Sequence, residues 1–514
     1  MSSHGRETTA GLTDVERGGS HDSTHDGGFM AFFAVEDGIV YKPEAVEHTR
    51  WYQRILDAGV EENGIKPVPI EKRTNVQYNN LFTVFFTGLL CILPIPTGML
   101  ATTVFEMSLR DASLTILFFS ALCTAPPAFM GCGGYKTGLR QLVQARYSWG
   151  LYIVAILVLL NAATVTGFTL VAAIVGGQTI AAIDPGNVSV SVGIVITIMV
   201  SFGVSLLGYR VLHLWQRWQW IPNLIAIVIT VGCGGKYLRH QAEVPPATPS
   251  QVMSYGGLMA GYFLTFGGTA SDFSIYHNPG APLLKIASYI YLGIWIPSVP
   301  LLVLGAAMGA SVPAIEGWAS AYDAFGAGGV MGLMLEPVGG FGKFVLVLLA
   351  LSVVGSIAIS MYSVALNLQM ILPVFTKIPR FLFIVVVMAI LIPIAIRAAE
   401  QWEESLENFL ALIGYWAGCF DAVLIAELVA FRRMDWLTFD HGIWNVGRKL
   451  PSGIAALAAS VLSLGLVIPC VSEVWYVGPI AETTGDLGFE MAFIVTALFY
   501  LPLRWVEVRW RGHL

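Results

Sequence analysis

The chain has 514 residues, of which 55% are hydrophobic and only 12% charged, with a mean hydropathy of +0.69. A soluble domain of that size has no use for so much apolar surface, so the sequence is that of a polytopic membrane protein. The net charge is −6, from 28 basic against 34 acidic residues, and without a dominant basic block there is no electrostatic footprint for nucleic acid.

The six cysteines (Cys91, Cys123, Cys132, Cys233, Cys419 and Cys470) lie in or beside apolar runs and form no CxxC pair. They read as small buried hydrophobes and imply neither a disulfide nor a zinc framework. The nine histidines fall in the tail, the loops or the span ends, which leaves the apolar runs without the clustered ligands and acid–base groups of an intramembrane enzyme. No metal, no cofactor and no catalytic residue is expected.

In chain order, residues 1–50 are polar and are expected to form a disordered cytosolic tail. Residues 51–79 make a cytosolic approach that ends in the proline-stiffened string GIKPVPIEKRTN. There is no cleavable signal peptide, so the first span is expected to direct insertion. Apolar runs of about twenty residues then predict about twelve spans, numbered here in order, within a transporter domain over 80–506. They lie near 80–104, 113–133, 150–176, 190–209, 219–235, 254–272, 283–310, 341–373, 380–398, 407–430, 453–471 and 488–506. A short cytosolic tail, 507–514, completes the chain. The run over 341–373 is long enough to continue past the bilayer.

Short cytosolic loops collect Lys and Arg. Lys66, Lys72 and Arg73, then Lys136, Arg140 and Arg146, Arg210 and Arg217, Lys377 and Arg380, Arg432, Arg433, Arg448 and Lys449, and Arg504, Arg509 and Arg511 all fall on one side if both termini are cytosolic. The exceptions are Lys236, Arg239 and Arg397. An Asn-x-Ser sequon at Asn187 lies in a loop on the other side, where glycosylation is chemically open to it.

Span 6 runs into LTFGGTASDFSIYHNP, Leu264 to Pro279, where Gly267 and Gly268 stand side by side at mid-span. Each costs about 1 kcal/mol of helix propensity relative to Ala. Span 1 is interrupted at a comparable depth by Pro94, Pro96 and Gly98, since proline removes a backbone donor and clashes with the preceding turn. Either interruption alone reads equally well as an ordinary kink. Two at corresponding positions of two halves point to a secondary transporter's binding site, lined by backbone that lipid would otherwise forbid.

Polar groups inside the spans narrow the site further. In span 8, Ser356, Ser360, Ser363 and Asn367 recur at helical spacing and form one stripe. In span 3, Asn161 and Thr164 share a face with Phe168. Span 6 supplies Tyr262, Phe263, Phe266 and Thr269. Aromatic faces, amides, hydroxyls and loosened backbone together suit a planar polar ligand; the alternative for the serine stripe is close helix packing. Among the carboxylates, Asp272 reads as a brace for the opened backbone. Asp421, mid-span in span 10, is the costliest residue if unpaired; it either carries a proton or is neutralised by a neighbouring span. Glu427 reads as the partner of Arg432 or Arg433 in a surface or interfacial ion pair.

Taken together, GIKPVPIEKRTN, GLRQLVQARYSWG, LLNAATVTGF, SDFSIYHNP, and GYW with FRR around span 10 give a chain that resembles the fungal purine-cytosine permeases of the nucleobase cation symporter family, from about residue 60 to the end. The resemblance implies an all-α LeuT-type fold: a five-plus-five inverted repeat with spans 1 and 6 discontinuous, plus two C-terminal helices. It further implies alternating access and, in fungi, proton-coupled uptake at the plasma membrane. Asn161 looks like the family's substrate-site amide, and Ser271-Asp272 like its acidic dipeptide after span 6. The chain departs from the family at Phe85-Phe86-Thr87-Gly88-Leu89, where a Trp-x-Ser-x-Asn-like string is usual, at Phe266, where Trp is usual, and at Ser356, Ile359 and Ser360, where two asparagines and a proline are usual. Hydroxyls in place of amides weaken the reading of a base edge.

The expected function is import of a small planar nucleobase-like ligand, purine or cytosine, with a proton, sodium being the lesser alternative. Asn161 and Phe266 are the first expected contacts, followed by Thr87, Gly267, Thr269, Ser356 and Ser360. Asp421, Asp272, Pro94, Pro96, Gly98 and Gly268 are expected to couple or gate. Two other readings remain open: a carrier of another flat heterocycle, such as a pyridoxine-like vitamin or a secondary-metabolite precursor, and a nutrient sensor that binds without turnover and uses the N-terminal tail as its output.

Overall fold

Helix forms in every one of the apolar runs in the computed structural model, which describes residues 65–206, 209–371, 375 and 380–514. The tail over 1–50 and the start of the approach lie outside the described residues. Six helical stretches among the described residues are long and apolar enough to cross a membrane, and a further pair, bent by 57°, makes a seventh.

The bent pair is span 1, α1 (Asn79–Leu89) and α2 (Pro94–Thr103). Span 2 is α3 (Leu109–Thr137), capped by the Ser108 hydroxyl, which accepts from Asp111 N at 3.1 Å, and closed by Gly138 at φ 72°. Both ends follow the usual chemistry, a hydroxyl at the N-cap and a left-handed glycine beyond the last turn. A short helix, α4 (Gln141–Trp149), follows; it is too polar for the hydropathy pattern to register, yet every residue in it is buried. Spans 3 to 5 are α5 (Val154–Ala181), α6 (Val190–Leu206) and α7 (Tyr209–Gly234).

The second half opens with α8 (Pro249–Leu264), which begins with a capping box between Thr248 and Gln251 and has Pro249 in its first turn. Span 7 is α9 (Leu283–Ser311), and α10 (Trp318–Leu335) lies between spans 7 and 8. α10 is kinked at Phe325 and Gly326, the latter at φ 54°, and was not anticipated from the sequence. Span 8 consists of α11 (Gly339–Leu351) and α12 (Val354–Ile371), so its expected single long helix is interrupted at Ser352 and Val353. Spans 9 and 10 are α13 (Arg380–Ala398) and α14 (Trp402–Ala426), and the last two are α15 (Ile454–Val467) and α17 (Gly488–Arg511). Between these, a hairpin of β1 (Ser472–Glu473) and β2 (Tyr476–Val477) leads into the single turn α16 (Ala481–Thr484).

The largest apolar core runs through spans 1 to 10. Large hydrophobics left exposed, such as Phe118, Leu159, Val386, Leu462 and Leu498, lie on the spans, as expected of surface that faces lipid instead of water.

Candidate functional site: a cavity between broken helices

The break in span 1 occupies Leu90–Leu93, one turn before the position expected from the prolines. Pro94 is the first residue of α2, where a missing N–H costs nothing. Pro96 and Gly98 lie inside α2, and Gly98 presses so closely on the Leu302 carbonyl of α9 that no side chain fits there. Gly98 therefore serves a helix contact and not the break.

The backbone freed at this break is satisfied by spans 5 and 8. Asn223 Nδ2 donates to Leu90 O at 2.9 Å, and Ile92 N donates to Ser352 Oγ at 3.2 Å. Gln219 Nε2 in turn donates to Ser352 O at 2.6 Å and Leu351 O at 3.3 Å. The break in span 8 thus faces the break in span 1, and two buried amides one turn apart on α7 hold both. The sequence signal for this arrangement was the pair Gln219 and Asn223 at i, i+4 in a membrane span.

In span 6, α8 ends at Leu264, and two 3₁₀ turns follow, Thr265–Gly268 and Ala270–Phe273. Both glycines are close-approach positions. A methyl group on Gly267 would collide with the carboxylate of Asp421, and one on Gly268 with the side-chain oxygen of Asn161. Asn161 and Asp421 are 1% and 0% exposed, and neither side chain has a hydrogen-bond partner among the described residues. Beyond the break the chain is pinned to α3 and α4. Ser271 Oγ donates to Met130 O at 2.8 Å, Ser274 Oγ donates to Gly131 O at 2.6 Å, and Asp272 accepts from Gln141 N at 2.8 Å and pairs with Arg140 at 3.5 Å. Asp272 thus caps the N-terminus of α4 and braces the segment that follows the break.

Between spans 1, 3, 6 and 8 lies a cavity of about 140 Å³. A water needs roughly 10–15 Å³ by this measure, so the space accommodates on the order of ten small groups. Five aromatic rings, Phe85, Phe168, Tyr262, Phe266 and Phe273, line it among aliphatic and hydroxyl side chains. Phe85 makes edge contacts with Phe266 at 6.3 Å and Phe273 at 5.1 Å, and Phe168 does so with Tyr262 at 6.2 Å. One side carries hydroxyls, from Ser356, Ser360 and Ser363 of α12, Thr164 of α5 and Thr269. Thr164 Oγ1 accepts from the indole N–H of Trp416 at 2.9 Å, which leaves its own proton to donate.

Of the residues expected at the site, Phe266, Thr269, Ser356 and Ser360 line the cavity; Asn161, Thr87 and Gly267 do not. Thr87 is buried, and its hydroxyl has no partner among the described residues. Asp421 and Gly268 belong to the contact behind the span 6 break. Phe85, Gly88 and Thr164 are lining residues that had not been singled out as contacts; Phe85 had registered only as a departure from a familiar string. Among the described residues, no Asn or Gln lines the cavity.

Glu427 is not the surface partner it was expected to be. It is 2% exposed and pairs with Arg432 at 3.0 Å and Arg504 at 3.0 Å, while Tyr500 donates to it at 2.8 Å. Arg504 is itself fully buried and reaches Glu507 at 2.9 Å. This network ties span 12 to the end of span 10. The six thiols are free, five of them fully buried.

Two interrupted spans at equivalent places in two five-span halves, closing on a cavity of rings and hydroxyls, are the architecture of a LeuT-type membrane carrier. The fold matches that of Mhp1, a nucleobase-cation-symport-1 family transporter, in a closed conformation with bromovinylhydantoin bound: TM-score 0.66, 15% identity, covering 88% of this chain and 96% of that one. The inward-facing conformation of Mhp1 gives a TM-score of 0.67 at 16% identity, over 87% of this chain and 94% of the other. Residues 67–489 match the family model described as permease for cytosine/purines, uracil, thiamine, allantoin. The chain belongs to that family. It is 32% identical over 468 residues to the purine-cytosine permease fcyB of Emericella nidulans, covering 89% of this chain and 90% of fcyB. It is 28% identical over 492 residues to the purine-cytosine permease FCY2 of Saccharomyces cerevisiae, covering 93% and 92%. The vitamin B6 transporter TPN1 of the same yeast is similar at 25% identity over 523 residues, covering 90% of each chain. The protein is a multi-pass membrane transporter and not an enzyme.

Proposed function

We propose that this chain imports a small, uncharged, planar heterocycle of the nucleobase class, purine or cytosine, together with a proton. It does so across the plasma membrane, with both termini in the cytosol. The observation that carries this reading is the cavity itself, lined by aromatic rings and by hydroxyls of spans 3, 6 and 8 between two broken spans. The similarity to fcyB and FCY2 supports purines and cytosine as the cargo. The basic residues gathered in the loops and ends on the side expected for both termini support the orientation.

The choice of proton over sodium rests on the two breaks. A sodium ion between them would need the carbonyls of span 1 and the carbonyls and hydroxyls of span 8. Leu90 O, Leu351 O and Ser352 O each already accept from an amide of Asn223 or Gln219, which competes with a cation for them. Asp421, buried against Gly267 without a partner among the described residues, is the acid placed to carry a proton beside the moving backbone, since an unneutralised charge at that depth is costly.

One observation favours a second reading. A site without amides reads a base edge through hydroxyls alone, which suits a hydroxylated pyridine such as pyridoxine, and TPN1 is similar over nearly the whole chain. Competition by cytosine, adenine, hypoxanthine, uracil, allantoin and pyridoxine for uptake at two external pH values separates the two. Inhibition by purines and cytosine, stronger uptake at acid pH and collapse with an uncoupler support the first reading; competition by pyridoxine alone supports the second.

A further inference from the structure

The face opposite the C-terminus holds a second group of acids that has no part in the cargo cavity. Asp486, in the loop before α17, accepts from Ser472 N at 3.0 Å, from Gly488 N at 2.6 Å and from the Tyr415 hydroxyl of α14. Its own N–H donates to Ser254 Oγ of α8 at 2.9 Å. The carboxylate of Asp486 thus joins the β1–β2 hairpin, the start of span 12 and span 10, and its backbone N–H adds the outer half of span 6. Every donor it has is neutral.

Two further carboxyls face Asp486. Glu473, on β1, is 3% exposed, and neither of its oxygens has a hydrogen-bond partner among the described residues. Glu490, in the first turn of α17, also has both oxygens buried and without a hydrogen-bond partner among the described residues. The other titratable groups around them are Glu407, the Tyr415 hydroxyl and the thiols of Cys470 and Cys123. None of these is a cation, and no ion pair reaches Glu473 or Glu490 among the described residues. Nor do three of these side chains converge on a point that holds a metal.

Buried carboxylates facing one another without a cation cannot all stay ionised, because burial and mutual repulsion both favour the neutral acid. We propose that Glu473, Asp486 and Glu490 form a proton-binding site on this face, separate from the cargo cavity and from Asp421, and that its occupancy holds the hairpin onto spans 6 and 10. The ligand is a proton from the adjacent water, taken up by one carboxylate oxygen and returned to water on release. Asp486, with its several donors, is the member best able to remain charged. Glu473 and Glu490, whose buried oxygens have no hydrogen-bond partner within contact distance among the described residues, are the members that take up protons. Burial, reinforced by the charge of Asp486, pushes Glu473 up to about 8. The site is therefore loaded below that pH, and it empties, with the hairpin repelled from Asp486, as pH rises through it. The site stands independently of which solute the cavity carries and of what drives uptake.

The test uses the purified full chain in lipid nanodiscs, without cargo. The unmodified protein should lose thermal stability as pH rises from about 4.5, the ordinary value for a glutamate, and level off above about 8, while a carboxylic C=O infrared band should disappear near the upper end of that interval. In Glu473→Gln, which is neutral at every pH, the loss of Tm should be blunted and the band diminished; Glu490→Gln should do the same, both acids being buried without a cation. Calcium and a chelator should leave Tm unchanged. Profiles of both variants that superimpose on the unmodified one, a protein without a band titrating there, or a Tm that responds to calcium or chelator would each overturn the assignment.

Discussion

The carboxylate of Asp421 occupies the space that a side chain on Gly267 would need. Span 10 is thereby in direct contact with the broken backbone of span 6, from behind the cavity and not within it. On the neighbouring residue, Gly268 makes room for Asn161 in the same way. The glycine pair is required by two buried polar side chains approaching the peptide, and the opening of the helix accompanies that approach.

Gly267→Ala should therefore overpack the contact, at a cost of about 1–3 kcal/mol. It is expected to lower Tm and abolish uptake, and adding Asp421→Ala should restore Tm without restoring uptake. A double-mutant cycle on purified protein measures this coupling. Asp421→Asn, which keeps the shape, should still bind cargo while uptake loses its response to external pH.

Asn223→Ala leaves Leu90 O without its donor, a loss of about 1–3 kcal/mol for a buried carbonyl. The expected result is a protein that reaches the surface with reduced stability and a lower maximal uptake rate. Replacing external sodium with choline should leave uptake by the unmodified protein unchanged. Both are read with labelled cargo in whole cells.

In the cavity, Ser360→Ala should raise KM about tenfold, the equivalent of one lost hydrogen bond of about 1.4 kcal/mol, with surface expression unaltered. Phe266→Ala should raise KM by at least as much through loss of stacking surface. Asn161→Ala tests a different role. Because Asn161 contacts Gly268 and does not line the cavity, its loss should lower the rate of transport more than the affinity for cargo.

Glu427→Gln should destabilise by about 3–5 kcal/mol, because it leaves the buried guanidinium groups of Arg432 and Arg504 without their shared anion. The expected outcome is poor recovery after detergent extraction, read by size-exclusion profile and Tm. Arg433→Ala, on the residue with φ 49° beside the network, should be mild by comparison.

The spans were legible because lipid demands long apolar runs, and the break in span 6 was legible because two adjacent glycines have few other uses there. The cavity's serine stripe followed from helical spacing alone. What could not be read was set by tertiary contact. The break in span 8 at Ser352 carries no Gly or Pro of its own and exists because Gln219 reaches its carbonyl from span 5. α4 and α10 escaped notice because one is too polar and the other too interrupted to show an apolar period. Asn161 looked like a ligand contact because an amide in a membrane span must have a purpose; its neighbour proved to be backbone. Glu427 looked like surface because its nearest cations in sequence were two loop arginines, while its other partner, Arg504, lies in the last span.

The most direct test of the account is accumulation of labelled cytosine or adenine by cells that lack other nucleobase carriers, with the chain unmodified or carrying Ser360→Trp to fill the cavity. The account predicts saturable uptake against a gradient, stronger at acid external pH, and its loss in Ser360→Trp at equal surface expression. Uptake by Ser360→Trp equal to that of the unmodified chain would contradict it, because transport would then not pass through the space between spans 1, 3, 6 and 8.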